Sequence, residues 1–438
     1  MTTPDLDTRR ASGLSPEDQR AYDDALHCNR CGFCTSYCPT YLATGDESLS
    51  PRGRNQAWRA FLEGRLDPAD GRRAFDSCLL CGVCTSVCFA QVPTAKLMAA
   101  AREKSNNAEG RSLAASFVVR GLLPRPRLFE AVLKVLYWGK RLGVSGWLNR
   151  LGILRWIHPR LAAAERLVES PPRRFLRGQL PSAPPDAGVV QFLACGPNCV
   201  SPEIGRATAH LLKVQGVKAG SANNVCCGLP GISLGDRAAA RRLARINIEL
   251  LEKHPTATVL VDDSSCAATL KEWPDLFEDD PAWKTRAAAV AERTRDLLEW
   301  LSQHPPSAPS VKEPVTYHDA CKARYAQGLV EEPRRLLKSV PGLDFRELPE
   351  ADQCCGGGGT YQFMQPAVSQ EVGVRKTANI LSTGARVVLT SSVSCLLQLR
   401  AGLRRAGAAT RVAHVAEFFS PPSPPSSRPE RLPPTGGV

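Results

Sequence analysis

The sequence has no run of apolar residues that could span a membrane: nothing in its 438 residues approaches the eighteen or more continuous apolar positions that a spanning helix needs. It also has no Gly-x-Gly-x-x-Gly turn opening a strand–helix unit, so nothing in it marks a dinucleotide site. The one glycine-rich run, from Gly356 to Gly359, follows a cysteine pair and lacks that context. The N-terminal stretch MTTPDLDTRRASGLSPEDQR has no apolar core of the kind a secretory leader carries. The expected compartment is therefore the cytoplasm, where thiols stay reduced and free to bind metal. No nucleic-acid recognition motif accompanies the basic residues, so a nucleic-acid partner is not expected.

What the sequence does have is cysteine, 17 residues of it, in a chain too long for a secreted disulfide scaffold. Its length suits two to four domains, and 43% apolar content supplies an ordinary globular core. The net charge of +13 is concentrated: between Arg111 and Leu180 fourteen Arg and Lys stand against three Glu. Composition divides the chain into a polar tail (1–20), an eight-cysteine region (21–108) and a basic amphipathic helical linker (109–185). Two further cysteine-bearing units (186–305 and 312–418) and a Pro/Ser-rich tail (419–438) follow, the tail expected to be disordered.

The eight-cysteine region holds one spacing twice. Cys28, Cys31, Cys34 and Cys38 follow C-x2-C-x2-C-x3-C, and Cys78, Cys81, Cys84 and Cys88 repeat it. Three cysteines two residues apart wrap a short loop around one [4Fe–4S] cubane, and the fourth reaches the neighbouring cluster. The expected ligand sets are crossed: Cys28, Cys31, Cys34 and Cys88 for one cluster, Cys78, Cys81, Cys84 and Cys38 for the other. Zinc sites need four ligands, often as two C-x2-C pairs, and two full copies of this run do not match that pattern. Pro39 follows the first motif, but Phe89 follows the second. Gly32 and Gly82 relieve crowding in the loops, and Thr35 and Thr85 are candidate hydrogen-bond donors to a cluster. Arg52 and Arg54 are candidates to offset cluster charge or to dock a partner, or are simply solvated. The 39 residues between the motifs include RNQAWRAFLEGRL, which reads as a helix. This spacer resembles the all-α ferredoxin units of fumarate and succinate oxidoreductase iron–sulfur subunits.

The remaining nine cysteines fall in an internal repeat. VVQFLACG opens the first copy and VTYHDACK the second. Each continues through a helical pattern to a Cys-Cys-Gly, then helix, strand and a last cysteine. Strands alternating with helices indicate α/β units with a mainly parallel sheet. The candidate metal ligands are Cys195, Cys226, Cys227 and Cys266 in the first copy, with Cys199 nearby, and Cys321, Cys354, Cys355 and Cys395 in the second. Buried thiols acting as small apolar groups are the plainer alternative. His318 and Asp319, beside Cys321, either tune or ligate a metal or end a strand and cap the next helix.

This repeat resembles the cysteine-rich CCG domain of heterodisulfide reductases, anaerobic glycerol-3-phosphate dehydrogenases, lactate-utilisation proteins and glycolate oxidase iron–sulfur subunits. There the full motif ends in C-x2-C. Here Asp263 and Ser392 stand where its first cysteine would be. A noncubane iron–sulfur cluster, a simpler iron or zinc site and a structural remnant all stay open. The order of two-cluster ferredoxin, basic linker and two CCG units is most similar to glycolate oxidase iron–sulfur subunits. CGFCTSYCPTYLATGDESLSPRGR, CLLCGVCTSVC, CGPNCVSPEIGRAT, YHDACKARYAQG and QCCGGGGTY carry the match.

The resemblance implies an α+β multi-domain protein, an all-α two-[4Fe–4S] ferredoxin unit followed by two α/β CCG domains. It implies an electron-transfer subunit for a 2-hydroxy-acid dehydrogenase whose FAD lies in a partner subunit, with a quinone or another acceptor at the far end. A heterodisulfide-reductase-type catalytic subunit, or the iron–sulfur subunit of a D-lactate or anaerobic glycerol-3-phosphate dehydrogenase, are the alternatives. In the linker, Trp138, Trp147 and Trp156 are nine residues apart, which would point successive rings to opposite sides of one straight helix. Short amphipathic helices broken at Gly143 and Gly146 are expected instead. Their basic and aromatic content suits either peripheral association with an anionic inner membrane face or packing on the flavoprotein or the CCG domains.

Overall fold

A computed structural model of the chain describes residues 14–306 and 313–420. Most of both terminal tails lies outside the described residues. The N-terminal tail ends earlier than composition suggests, because a helix runs over Pro16–Leu26. Ser15 caps it by accepting from the Asp18 amide, Pro16 fixes its first turn, and Tyr22 and Ala25 are buried.

Residues 14–108 contain helices and no strand. The expected spacer helix spans Pro51–Leu62, with Ser50 accepting from the Gly53 amide at its start. It packs with Pro68–Asp76 and Thr94–Glu109 around Trp58, Phe75, Leu97 and Met98. The Trp58 and Phe75 rings meet edge to face with centroids 6.2 Å apart. This small core holds both cysteine motifs.

The linker forms helices over Pro126–Arg141, Val144–Arg150, Ile153–Ile157 and Pro159–Leu167. The breaks fall at Gly143 and Gly152, whose φ angles are +77° and +75°. Gly146, expected to be a break, lies inside the second of these helices. A glycine ends a helix where it adopts the left-handed conformation, and Gly146 does not. The linker is pinned to the first CCG unit by buried Glu130, which accepts from Arg177 Nε and Asn198 Nδ2, each at 2.8 Å. PSAPPDAG also joins that unit: the Ala183 amide donates to the Ser221 carbonyl at 3.0 Å.

The first CCG unit is a parallel sheet of β1 (Val189–Phe192), β2 (Ala219–Ser221), β3 (Thr258–Val261) and β4 (Thr294–Asp296), in the order β2-β1-β3-β4. The second has β5 (Val315–Tyr317), β6 (Val387–Thr390) and β7 (Arg411–His414), in the order β5-β6-β7 and again parallel. VVQF, TVLV and VVLT read as near-continuous apolar runs because helices cover both faces of a parallel sheet. Strand register aligns the two copies residue by residue. Val189 pairs with Thr258 as Val315 pairs with Val387. Cys195 and Cys321 each come six residues after the first of these partners, and Cys266 and Cys395 eight after the second. The two units share a core that joins Leu211, Leu260 and Leu301 to Leu336, Leu396 and Phe418.

Candidate metal centres

The two ferredoxin-type loops have one backbone conformation. Arg30 and Leu80 have φ of +56° and +51°, and Gly32 and Gly82 have φ of +83° and +87°. Left-handed residues alternating with ordinary ones turn successive amides into a concavity suited to an anion. Gly32 and Gly82 permit this at no steric cost. Thr35 and Thr85 are used differently from expectation: their hydroxyls donate to the carbonyls of Gly32 and Val92. Backbone acceptors near each loop satisfy them first.

Cys28, Cys31, Cys34 and Cys88 line one cavity of about 190 Å³, into which Cys84 also reaches. Burial pushes the Cys34 thiol up to about 11, and Cys28, Cys38 and Cys88 push in the same direction. Cys84 is pushed up to about 12 by burial, then by Cys78 and Cys38. Thiols crowded this way resist ionising together unless a cation sits among them. Among the described residues, the one tight group that could enclose a single ion lies elsewhere. Wider spacing of the eight sulfurs suits a cluster rather than one ion, so the residues present fit [4Fe–4S] groups.

Two buried guanidinium groups support the same fit. Arg54 is 2% exposed and donates to Ala74 O at 2.9 Å, Thr40 Oγ1 and Ser77 Oγ at 3.0 Å, and Cys38 Sγ at 3.7 Å. Burial alone would lower its pKa, but Cys78 and Cys38 raise it above the ordinary value. Arg102, also buried, donates to the carbonyls of Phe75 and Cys78. A buried cation needs an opposing charge: Arg102 has the Asp76 carboxylate at 3.9 Å, and an anionic cluster in thiolate ligands would supply one for Arg54. Arg52, more exposed and paired with Glu47 at 2.6 Å, lies at the rim of the first-motif cavity. Helical phase separates the two arginines: Arg54 shares a face with Trp58, four residues on, and Arg52 does not. That signal was readable from Pro51 onward.

In the first CCG unit Cys195 is exposed, at the start of the helix Cys195–Cys199, while Cys226, Cys227 and Cys266 are buried. Cys226 contacts Cys195 and Cys227, which raise it, and Cys227 contacts Cys226 and Cys266, which lower it. Asn247 fixes the cysteine pair, accepting from the Val225 amide at 3.0 Å and donating to Cys226 O at 2.9 Å. Cys199 is apart, packed with Tyr137 and Phe175. The buried-apolar reading therefore suits Cys199.

In the second unit the thiols of Cys321, Cys354, Cys355 and Cys395 touch in sequence. Gly356, at φ +87°, lets the turn after Cys355 close: a Cβ there would meet Ser369 O at 2.4 Å. Lys376 is 1% exposed beside this centre and donates to Glu350 and Ala351 carbonyls. Burial lowers its pKa to about 8, against the raising effect of Cys355 and Cys354. It is a third buried cation facing thiols, and no sequence motif marks it. The two units meet where the complete motif would have two more cysteines. The Val393 amide donates to Asp263 Oδ2 at 2.8 Å, and Ser392 Oγ donates to the same carboxyl at 3.4 Å. Asp263 and Ser392 thus bridge the domains.

The ferredoxin-type region docks on the second unit through its own second motif. Leu79, Cys81 and Val83 pack with Cys354, Tyr361 and Val372, with Cys321 and Tyr325 at the edge. Tyr361 Oη donates to Ser77 O at 2.9 Å. Cys81 is pushed up by burial and next by Cys321. By contrast the first motif lies at the surface: Cys31 is exposed, and Phe33 and the 90%-exposed Phe89 meet at a tilt, centroids 5.6 Å apart, beside it.

A two-motif ferredoxin region abutting paired cysteine-rich domains defines an iron–sulfur electron-transfer protein. Residues 24–92 match a family profile described as "4Fe-4S dicluster domain", and residues 189–271 and 315–400 match "Cysteine-rich domain". Residues 110–168 match "Glycolate oxidase iron-sulfur subunit, linker region". The chain is 29% identical to the "Probable glycolate oxidase iron-sulfur subunit" of Bacillus subtilis (strain 168), over 90% of this chain and 93% of that one. It is 27% identical to the "Glycolate oxidase iron-sulfur subunit" of Escherichia coli (strain K12), over 89% and 92%. "Lactate utilization protein A" of Exiguobacterium sp. (strain ATCC BAA-1283 / AT1b) is 30% identical, over 53% of this chain and 96% of its own. The chain belongs to the family of glycolate oxidase iron–sulfur subunits.

Proposed function

We propose that the chain carries electrons from a partner flavoprotein that oxidises a 2-hydroxy acid, glycolate being the best-supported substrate of the complex. The crossed sets Cys28, Cys31, Cys34, Cys88 and Cys78, Cys81, Cys84, Cys38 hold two [4Fe–4S] clusters, and Cys195, Cys226, Cys227, Cys266 and Cys321, Cys354, Cys355, Cys395 are the ligand pools of two further centres. The observation that carries this is the packing of Cys81 against Cys321 and Cys354, which joins the second motif to the second CCG centre. The glycolate assignment rests on the linker match and on likeness to the glycolate-type relatives over about 90% of the chain, where the lactate-type relative covers 53%.

Iron–sulfur clusters bound at the motifs supply one-electron transfer. The protein's part is placement and electrostatics. Arg54, Arg102 and Lys376 set positive charge beside the thiols, which favours the more negative, reduced state. Leu79, Val83 and Tyr361 keep water from the junction between the second motif and the CCG centre. Phe33 and Phe89 flank the exposed mouth of the first motif and form the docking face for the FAD-binding subunit. No helix among the described residues is long and apolar enough to cross a membrane. The exposed Trp138, Trp147 and Trp156, on a basic linker, support peripheral association with an anionic membrane face, within reach of a quinone.

Anaerobic purification with iron and sulfide analysis tests the cluster content. Two cubanes require about eight irons, and less than about four would overturn the reading. Co-purification of an FAD-containing subunit that reduces these centres with glycolate tests the partner and substrate.

A further inference from the structure

His318 is not among the cysteine ligands named above, yet its placement is specific. It is fully buried, directly after β5. It ends that strand but caps nothing: Ala320 is the N-cap of the helix Cys321–Gln327, which has no side-chain cap. Its neighbour Asp319 is engaged by Arg324 at 3.0 Å and Arg334 at 3.1 Å. Neither ring nitrogen of His318 makes a hydrogen bond of full geometry, although the Ala351 carbonyl lies near the ring. An imidazole without a well-formed hydrogen bond in a protein interior is destabilising.

The ring is aimed at sulfur. A His318 nitrogen, Cys355 Sγ and Cys395 Sγ all lie within 4.8 Å of one another. Two sulfurs bound about 2.3 Å from a tetrahedral centre stand about 3.8 Å apart, so a small inward movement closes the triad on one metal atom. Cys321 and Cys354 continue the same line of thiols. The Ala351 carbonyl, close to the ring, is an acceptor for the proton of the nitrogen that does not bind metal.

The repeat shows that this is not a general feature of the fold. Strand register puts Phe192 in the first unit where His318 stands in the second, three residues after Val189 and Val315. Both are fully buried, so the same space holds an inert ring in one unit and an imidazole in the other.

We propose that His318 is a metal ligand, so that the second CCG centre has mixed imidazole–thiolate coordination with Cys355 and Cys395, while the first is a thiolate centre. The metal class is iron, alone or within an iron–sulfur cluster, or zinc, the ions that imidazole and thiolate share. A neutral imidazole in place of an anionic thiolate makes an iron centre less negative and easier to reduce. That would make the centre beside Cys81 an electron sink for the second motif. The inference rests on the proposal that the cysteines of this unit bind metal.

The test uses the full chain, purified anaerobically, with iron, zinc and sulfide counted per chain. Three proteins are compared: the unaltered chain, His318→Phe and Cys355→Ser. His318→Phe restores the side chain of the first unit, and the EPR signals of the two N-terminal clusters report that each variant has folded. Loss of the same metal from both variants, the N-terminal signals persisting, is expected. Loss from Cys355→Ser alone overturns the histidine ligand and leaves the metal site standing; loss from neither overturns both. A second measurement needs no variant. X-ray absorption at the zinc edge, or nitrogen couplings in pulsed EPR for iron, should show an imidazole ligand, and a sulfur-only shell at this centre would overturn the proposal.

Discussion

The guanidinium of Arg54 donates to Cys38 Sγ at 3.7 Å from a site that is 2% exposed. Cys38 is the cysteine expected to leave its own loop for the neighbouring cluster, so this contact places a buried positive charge beside the crossing point. Arg54→Met should lower the midpoint potential of the second-motif cluster by about 100 mV, from a charge pair about 6 Å apart at an effective dielectric of about 20. Arg54→Lys should keep most of the potential while losing the forked hydrogen bonds to Thr40 and Ser77. A redox titration followed by EPR checks both, and equal potentials in Arg54→Met and the unaltered chain would show that the charge is not felt.

Crossed ligation makes a sharper prediction about pairs. Cys38→Ser and Cys78→Ser should disturb the same EPR species, and Cys88→Ser and Cys28→Ser the other. If each motif kept its fourth cysteine, Cys38→Ser would instead match Cys28→Ser. Each variant should lose about four irons or convert one cluster to a three-iron form.

How far the sequence carried these assignments depended on whether chemistry was written in spacing or in depth. The two C-x2-C-x2-C-x3-C runs are local, and their loops take the same turn twice. The linker's helices were foreseeable from its period, but the choice of Gly152 over Gly146 as a break was not, since both are glycines in similar company. Asp263 and Ser392 looked like defects in a motif. Their bridge between domains depends on contacts across about 130 residues of chain, which no local pattern encodes. Lys376 is one basic residue among 56 until burial singles it out.

Asp262 gives a prediction in pH. It is 1% exposed, accepts from Gln191 Nε2 at 2.9 Å, and is pushed up to about 7 by burial and by the charge of Asp263. The folded carboxyl therefore holds its proton more tightly than the unfolded one. Stability should fall as pH rises from about 4 to about 7, because the unfolded chain releases that proton first. Asp262→Asn, which mimics the protonated form, should be more stable than the unaltered chain by about 2–4 kcal/mol at pH 8 and nearly equal to it at pH 4. Thermal unfolding at the two pH values checks this. A difference that does not change with pH would rule out titration of this group as the cause.

The linker exposes several large apolar side chains. Trp138, Trp147 and Trp156 are 65%, 60% and 88% exposed, and Leu136, Leu142 and Leu151 are exposed in the same segment. Large apolar side chains exposed together on a basic segment are costly in water and suit a partner surface. An anionic bilayer would take the rings at the headgroup level and the Arg and Lys residues at the phosphates. The chain should therefore sediment with vesicles containing phosphatidylglycerol and less with purely zwitterionic ones. Raising the salt should weaken the electrostatic part and leave an apolar remainder. Replacing all three tryptophans with serine should reduce partitioning by about tenfold or more, because each ring contributes on the order of 1–3 kcal/mol when buried. The iron content should not change, since these residues touch no cysteine motif. Equal sedimentation of the triple variant, or binding that appears only when the flavoprotein is present, would assign this face to the partner subunit instead.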